Sequence, residues 1–302
     1  FYVGLSSNGA LIDENNIGRI DDVGFDYVGI SLDGIGAVHD AFRGKQGAFD
    51  ASLRGVRLCR DAGIKVGLRF TMTMDNHAQF EELMDLGDRE GVDKFYLSHL
   101  NYAGRGNKNR GDDAVHDITR QRMEALFERA WGYVSRGEYK EIVTGNNDAD
   151  GAYLYLWAKR RFPEHAEHLR AKLVQWGGNA SGVNVANIDN TGEVHPDTFW
   201  WNYPLGNVKS RPFSQIWPDT NDPVMRGLKQ RPRQISGRCG VCQHFDICGG
   251  NTRVRALQLT GDPWAEDPAC YLSDQEIGRT ESAPRVTLKP FRGVRHELPH
   301  RF

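Results

Sequence analysis

The sequence FDYVGISLDG, residues 25–34, is a short apolar run that ends in polar residues and glycine. A run rich in aromatic and β-branched residues and bounded by turn residues predicts a β-strand. Runs of the same kind recur in FYVGLSS (1–7), KVGLRFTMT (65–73) and KFYLSHL (94–100). Residues 25–34 are therefore one of several predicted strands, and the segments between them decide the fold.

Those connecting segments have helical periodicity. In FDASLRGVRLCRDAG (49–63) and AQFEELMDLGDREG (78–91), apolar residues recur at intervals of three and four and so share one helix face. Strands that alternate with helices predict a parallel sheet with right-handed crossovers. No glycine fingerprint for dinucleotide binding opens either helix, which counts against a Rossmann fold. We therefore predict an α/β fold containing a partial (β/α) barrel of the TIM type.

Each predicted strand of residues 1–110 is followed by a polar or glycine-rich segment. These segments are SSNG (6–9), SLDG (31–34), RFTMT (69–73) and NYAGRG (101–106). In (β/α) barrels the carboxyl ends of the strands carry the chemistry, so the series suggests one functional rim. The alternative is that they are ordinary turns, where Asn, Asp, Gly and Ser are common in any protein.

The composition is that of a soluble globular protein. The 302 residues are 39% hydrophobic and 26% charged, and the formal net charge is -2. This charge argues against a general nucleic-acid-binding protein, and no apolar run is long enough to predict a transmembrane helix. Four of the five cysteines cluster between residues 239 and 270, which favours a metal or redox site in a reducing compartment. A cytoplasmic location is therefore expected.

We predict four parts along the chain. Residues 1–110 form the partial barrel, and 111–180 form a helical continuation or linker. Residues 181–280 form a small cysteine-rich domain that begins with a hairpin in GVNVANIDNTGEVHP. Residues 281–302 are a polar, irregular tail.

The four clustered cysteines follow the pattern Cys239-x2-Cys242-x5-Cys248-x21-Cys270. Three interpretations remain open from this spacing. Disulfides conflict with the expected reducing compartment. Structural zinc usually uses two pairs of x2 spacing, and here one pair has it. A [4Fe–4S] cluster accepts looser, asymmetric spacing, and the pattern favours it.

Several motifs resemble those of the radical S-adenosylmethionine (SAM) superfamily. SSNG, ISLDG with HDAFRG, GLRFTMT and AGRG resemble successive strand segments of these enzymes, and the cysteine stretch resembles their SPASM-type auxiliary-cluster domain. More narrowly, KFYLSHLNYAGRGNK, VTGNNDADGAYLYLW and CGGNTRVRALQLTGDPWAEDPACYL resemble the radical SAM enzymes of heme d1 biosynthesis. The resemblance implies removal of two propionate side chains from a didecarboxysiroheme-type tetrapyrrole and installation of oxo groups.

The resemblance also implies site residues. The four clustered cysteines match the ligands of one auxiliary [4Fe–4S] cluster. A second auxiliary cluster is expected to be absent, because the matching ligand positions hold Thr252, Ser181 or Gly182, and Asp197. The regions that match the SAM pocket contain Asn8, Ser31, Asp33 and Arg69.

The superfamily binds SAM on a further [4Fe–4S] cluster held by a C-x3-C-x2-C triplet, and no such triplet occurs in these 302 residues. We therefore assign the activity to the intact parent enzyme and expect this chain alone to be inactive. No individual catalytic residue is assigned.

The substrate and its partners allow further hypotheses. A reductant such as ferredoxin or flavodoxin is implied, with no membrane or nucleic-acid partner. Candidate partners for the substrate carboxylates are Lys229, Arg231, Arg233, Arg238, Arg253 and Arg255. For the run LKQRPR (228–233), the alternative is a solvated face. Candidates for packing on the macrocycle are Phe199, Trp200 and Trp201. The alternative is that these aromatic residues belong to the core. Alternative functions are a SPASM maturase acting on a peptide and a zinc-stabilised module without catalysis.

Overall fold

The computed structural model describes residues 1–279. Its strands, in chain order, are β1 (Gly4–Ser7), β2 (Tyr27–Ser31), β3 (Val66–Met72), β4 (Lys94–His99), β5 (Glu141–Gly145), β6 (Asn187–Ile188), β7 (Glu193–His195) and β8 (Gly206–Asn207). Its helices are α1 (Ile17–Asp22), α2 (Ala37–Arg43), α3 (Ala48–Asp61), α4 (Phe80–Arg89), α5 (Arg105–Lys108), α6 (His116–Ser135), α7 (Ala149–Arg161), α8 (Pro163–Trp176), α9 (Phe213–Ile216), α10 (Pro223–Lys229), α11 (Phe245–Cys248) and α12 (Arg253–Thr260). None of the helices within these residues has the length and apolar character needed to cross a bilayer.

Strands β1 to β5 form one parallel sheet in sequential order. The four strands predicted from the sequence are all present, and their parallel pairing is confirmed. The fifth strand, β5, lies inside the block that was predicted to be helical, so that part of the prediction was wrong. Its β-branched run Ile142–Thr144 was the available signal.

One face of this sheet is apolar and packs on helices. Phe70 on β3, Phe95 on β4 and Phe80 on α4 meet with ring centroids between 5.9 and 6.5 Å apart. Gly87 of α4 lets that helix approach β3, because a Cβ there would lie 3.3 Å from Leu68. This buried face is the core that the helical periodicity predicted.

The other face of the sheet is polar and less buried. In β4 the burial alternates, so that Lys94, Tyr96 and Ser98 are half-buried between fully buried neighbours. Lys94 Nζ lies 2.5 Å from Glu141 Oε1 on β5 and 4.3 Å from the ring centroid of Tyr27. A strand face of this composition is suited to contact a polar ligand rather than a second apolar layer.

The chain divides into two compact units. The first comprises Phe1–Leu100 with Asp112–Gly145, and the second comprises Asn101–Gly111 with the described residues from Asn146 onward. The four-part division made from the sequence remains a prediction, and its tail, 281–302, lies outside the described residues.

The second unit contains the predicted hairpin. Strands β6, β7 and β8 form an antiparallel sheet. Asp189 holds the turn between β6 and β7, where its Oδ1 accepts hydrogen bonds from the backbone of Thr191 and Glu193. The buried His195 at the end of β7 has both ring nitrogens engaged, one at 3.2 Å from the Tyr203 carbonyl and one at 3.3 Å from Asp189. His195 is thus a hydrogen-bonded residue at the end of a strand.

Candidate functional site

All four clustered cysteines line one cavity of the second unit. Cys239 lies in a short 3-10 turn, Cys248 ends α11, and Cys242 and Cys270 lie in loops. The cavity contains about 430 Å³ of empty space, counting the part that is open to solvent. Thiols that are distant in sequence therefore meet at a single site, which we call the cysteine cavity.

Glycines make the chain path around the cysteine cavity possible. Gly249 and Gly250 follow Cys248 with φ of 65° and 87°, a left-handed conformation that glycine adopts without strain. A Cβ on Gly250 would lie 2.0 Å from the Ile235 side chain. The turn that brings Cys248 to the cavity is therefore specific to glycine.

Burial raises the pKa of each of the four thiols, that of Cys270 to about 12. Without a metal they are accordingly protonated at neutral pH, and metal binding must displace these protons. The backbone N–H of His244 lies 3.4 Å from Cys242 Sγ, and backbone groups of Asp267 and Leu272 also donate to cavity sulfurs. Such donors stabilise thiolates.

Within residues 1–279, no three His, Cys, Asp or Glu side chains are arranged to hold a single metal ion. A tetrahedral zinc site with Zn–S bonds of about 2.3 Å requires its sulfur atoms to lie within about 4 Å of one another. The four thiols line one cavity, which is a ligand set that a [4Fe–4S] cluster can use.

The arginines proposed as substrate partners are largely built into the protein. Arg233, Arg253 and Arg255 are 4%, 0% and 0% exposed, and every hydrogen bond found for them goes to protein acceptors. The hypothesis that these three pair with substrate carboxylates was therefore wrong. The solvated face considered for LKQRPR was equally wrong for Arg233, because its guanidinium donates to backbone carbonyls that no sequence pattern reveals.

Two of the three aromatic residues proposed to pack on the macrocycle belong to the protein core. Trp200 is 2% exposed and packs with Val224, Met225, Leu228 and Val254 in the core of the second unit. Phe199, Tyr203, Leu205, Trp217, Leu257 and Trp264 pack against this core. Trp201 is the exception, since it is 58% exposed. The core interpretation thus holds for Phe199 and Trp200.

The positions expected to lack a second cluster carry their own hydrogen bonds. Ser181 Oγ donates to Asp197 Oδ2 at 2.5 Å, and both residues are buried. Thr252 Oγ1 donates to the Asn146 carbonyl at 3.2 Å. Burial raises the pKa of the Asp197 carboxyl. These side chains therefore satisfy one another or the backbone.

Sequence reasoning missed a polar network beside the cysteine cavity. Asn251 Oδ1 accepts from the backbone N–H of Asp148 and its Nδ2 donates to Asn147 Oδ1, while Asn179 Nδ2 donates to Asp148 Oδ2. Burial, with the nearby charge of Asp150, raises the pKa of Asp148 to about 6. The available signal was the polar run GNNDAD (145–150), which was read only as part of a resemblance.

In the first unit, the residues predicted for SAM lie at or beyond the carboxyl halves of β1, β2 and β3. Ser31 and Arg69 are register partners on neighbouring strands. The Arg69 guanidinium lies 4.4 Å from the ring centroid of Tyr96 and, within residues 1–279, makes no hydrogen bond or ion pair. It is thus a cation held in place by an aromatic face, with its hydrogen-bond donors available.

Asp33 and Asn8 are more fully occupied. The Asp33 carboxylate accepts from the Thr71 backbone N–H at 2.8 Å and from Arg43, and it is buried. Burial raises its pKa, although Arg43 opposes the shift. Asn8 accepts from the Ala10 backbone through Oδ1 at 3.1 Å. Both residues shape the loops after their strands.

Known proteins are similar to this chain over nearly its whole length. The family model described as the radical SAM superfamily matches residues 1–87. A pre-heme d1 synthase of Dinoroseobacter shibae is 58% identical over 295 residues, which cover 97% of this chain and 73% of that protein. The chain belongs to the radical SAM superfamily. This radical SAM protein is an enzyme, and its resemblance to the radical SAM enzymes of heme d1 biosynthesis is confirmed.

One further relative and one solved structure are similar to this radical SAM enzyme. An Fe-coproporphyrin III synthase of Methanosarcina barkeri is 43% identical, over 92% of this chain and 70% of that protein. A solved structure described as native anSMEcpe with bound AdoMet and Cp18Cys peptide has a TM-score of 0.65, covering 91% of this chain and 72% of its own at 16% identity. That likeness concerns the fold alone, and it confirms the predicted radical SAM type of α/β fold. Superfamily membership implies a [4Fe–4S] cluster and SAM as cofactors.

Proposed function

We propose that this radical SAM enzyme acts in heme d1 biosynthesis on a didecarboxysiroheme-type tetrapyrrole, removing two propionate side chains and installing oxo groups. The observation that carries the proposal is the 58% identity to a pre-heme d1 synthase over 97% of the chain. The second relative is also named for a porphyrin product. Two relatives with tetrapyrrole names favour this substrate class over a peptide.

The four cysteines are proposed to hold one auxiliary [4Fe–4S] cluster. Two observations support this role: all four thiols line one cavity, and backbone N–H groups donate to their sulfurs. Such a cluster, when bound, supplies one-electron transfer. The protein provides the four thiolates, the donors to sulfur and the buried surroundings.

For SAM, we propose that Arg69 and Ser31 bind the methionyl carboxylate. A guanidinium fork matches a carboxylate with two parallel hydrogen bonds, and the Arg69 donors are available for it. Ser31 stands opposite Arg69 in the strand register. Asn8 and Asp33 are proposed to complete the pocket through the loops that they shape.

The remaining parts of the proposal follow from these assignments. No second auxiliary cluster is expected, because Ser181 and Asp197 are hydrogen-bonded to each other. The intact enzyme is proposed to be cytoplasmic and to receive electrons from a ferredoxin or flavodoxin. We also propose that residues 1–110 form the partial barrel, 111–180 the helical continuation or linker and 181–280 the cluster domain.

The test uses the full-length enzyme, purified and reconstituted with iron and sulfide under anaerobic conditions. It is incubated with didecarboxysiroheme, SAM and dithionite, and the tetrapyrrole is analysed by mass spectrometry and absorption. Loss of two propionate groups supports the proposal, and an unmodified tetrapyrrole with SAM cleavage intact contradicts it. Iron and zinc are measured on the same sample, since stoichiometric zinc without iron would support a non-catalytic module instead.

A further inference from the structure

Arg253, at the start of α12, is a fully buried cation held by backbone carbonyls. Its Nε donates to the Asn251 carbonyl at 3.2 Å, and one terminal nitrogen donates to the carbonyls of Pro263 and Ala265 at 3.0 and 2.6 Å. The other terminal nitrogen donates to the Gly250 carbonyl. Within residues 1–279 the guanidinium makes no ion pair with a carboxylate, although its side chain is 0% exposed.

The neighbouring buried arginines, Arg255 and Arg233, each have a carboxylate in contact or one residue away. Arg255 is held by Asp267 through Nε and a terminal nitrogen, with the shortest distances at 2.8 Å. Arg233 shares Asn179 with Asp148, so a carboxylate lies one amide away. A buried charge is tolerated in proteins when it has a counter-charge, and carbonyl dipoles alone compensate it incompletely. Arg253 has no carboxylate in direct contact, and the charge of the nearby Asp267 is shared with Arg255, so a further negative group would stabilise the Arg253 guanidinium.

The cysteine cavity is where such a group belongs. Gly250 and Asn251, whose carbonyls hold Arg253, both line the cavity. Burial lowers the pKa of the Arg253 guanidinium, while Asp267 and, when they are ionised, Cys239 and Cys248 raise it. A [4Fe–4S] core with four thiolate ligands is negative overall, and it gains a further negative charge when reduced.

We infer that Arg253 is the counter-charge of the auxiliary cluster and makes the cluster easier to reduce, an inference that rests on the cluster proposed above. A fixed positive charge favours the reduced, more negative state, and net charge around a cluster is one of the factors that set its potential. Arg253 is thus a residue that acts through the cluster and not on the substrate.

The experiment uses the 302-residue chain, reconstituted with iron and sulfide under anaerobic conditions. Because Cys59 is the one cysteine outside the cavity set, bound iron reports on the cysteine cavity. The midpoint potential is measured by dithionite titration followed by EPR for the wild type, Arg253→Gln and Arg253→Lys. The matched control is Arg170→Gln, which neutralises an arginine of the same unit that is 33% exposed and paired with Asp246.

We expect Arg253→Gln to weaken reduction by about tenfold, a shift of about 59 mV to more negative potential for one electron. Arg253→Lys and Arg170→Gln should stay near the wild-type potential. A glutamine variant that binds no cluster, beside a lysine variant that does, equally supports a charge requirement. Wild-type potentials in both Arg253 variants, or loss of the cluster in both, would overturn the inference. Arg253 would then only stabilise the local fold. A wild-type chain without iron and sulfide would overturn the proposed cluster itself.

Discussion

The buried ion pair of Arg255 and Asp267 allows a sharp test of how the second unit is held together. Arg255 Nε lies 2.8 Å from Asp267 Oδ1, and Arg255 Nη2 lies 2.8 Å from Asp267 Oδ2. Both side chains are 0% exposed. Asp267→Asn keeps the shape of the side chain but removes its charge, so the buried Arg255 guanidinium loses the carboxylate that it contacts at 2.8 Å.

Breaking a buried pair by removing one partner destabilises a protein by about 3–5 kcal/mol, because the remaining charge stays desolvated. The control is Asp246→Asn, which breaks the pair with Arg170 whose side chains are 33% and 43% exposed. An exposed pair contributes about 0–1 kcal/mol. The double variant Arg255→Met/Asp267→Asn removes both charges and should regain part of the loss.

The assay is urea unfolding of the metal-free chain at neutral pH, followed by tryptophan fluorescence. Trp200 lies in the core of the same unit and therefore reports on it. We expect Asp267→Asn to be less stable than Asp246→Asn by several kcal/mol. Equal free energies of unfolding for the two single variants would refute the reasoning and show that water or a rearranged partner reaches the Arg255 guanidinium.

Two more predictions concern the sheet and the polar network. Gly145→Ala places a Cβ about 1.9 Å from the Tyr96 hydroxyl, so the ring that supports Arg69 must move. SAM affinity of the full-length enzyme in equilibrium dialysis should fall by about tenfold, or roughly 1.4 kcal/mol; Gly18→Ala, with nothing within 4 Å, should leave it unchanged. The raised pKa of Asp148, about 6, means that the folded state keeps a proton between pH 4 and 6 that the unfolded state has lost. The contribution of Asp148 to the stability of the metal-free chain should therefore fall as pH rises through this window, by about 1–3 kcal/mol. Asp148→Asn should flatten that slope in urea unfolding at several pH values, and an unchanged slope would contradict the assignment.

The spacing of the cysteines along the chain was sufficient to predict the cysteine cavity. The interval between Cys239 and Cys242, the following glycines and the later Cys270 predicted one shared site, and all four thiols line one cavity. Arg69 was predicted as part of a matching region, but its available guanidinium and its contact with Tyr96 became visible only across neighbouring strands. Spacing along the chain predicts contacts between residues that are close in sequence. It does not predict a contact such as that of Arg69 with Tyr96, which forms only when two strands pair.

Taken alone, the sequence determined the alternation of strands and helices, the parallel sheet and the identity of the clustered thiols, because hydrophobic period and turn residues act over short distances. Only the tertiary structure decided which charged residues are interior. Arg253 is buried because carbonyls of Pro263 and Ala265, about ten residues later in the chain, accept its hydrogen bonds. A charged side chain is usually exposed, and what reverses that preference is a set of hydrogen-bond partners assembled by the fold.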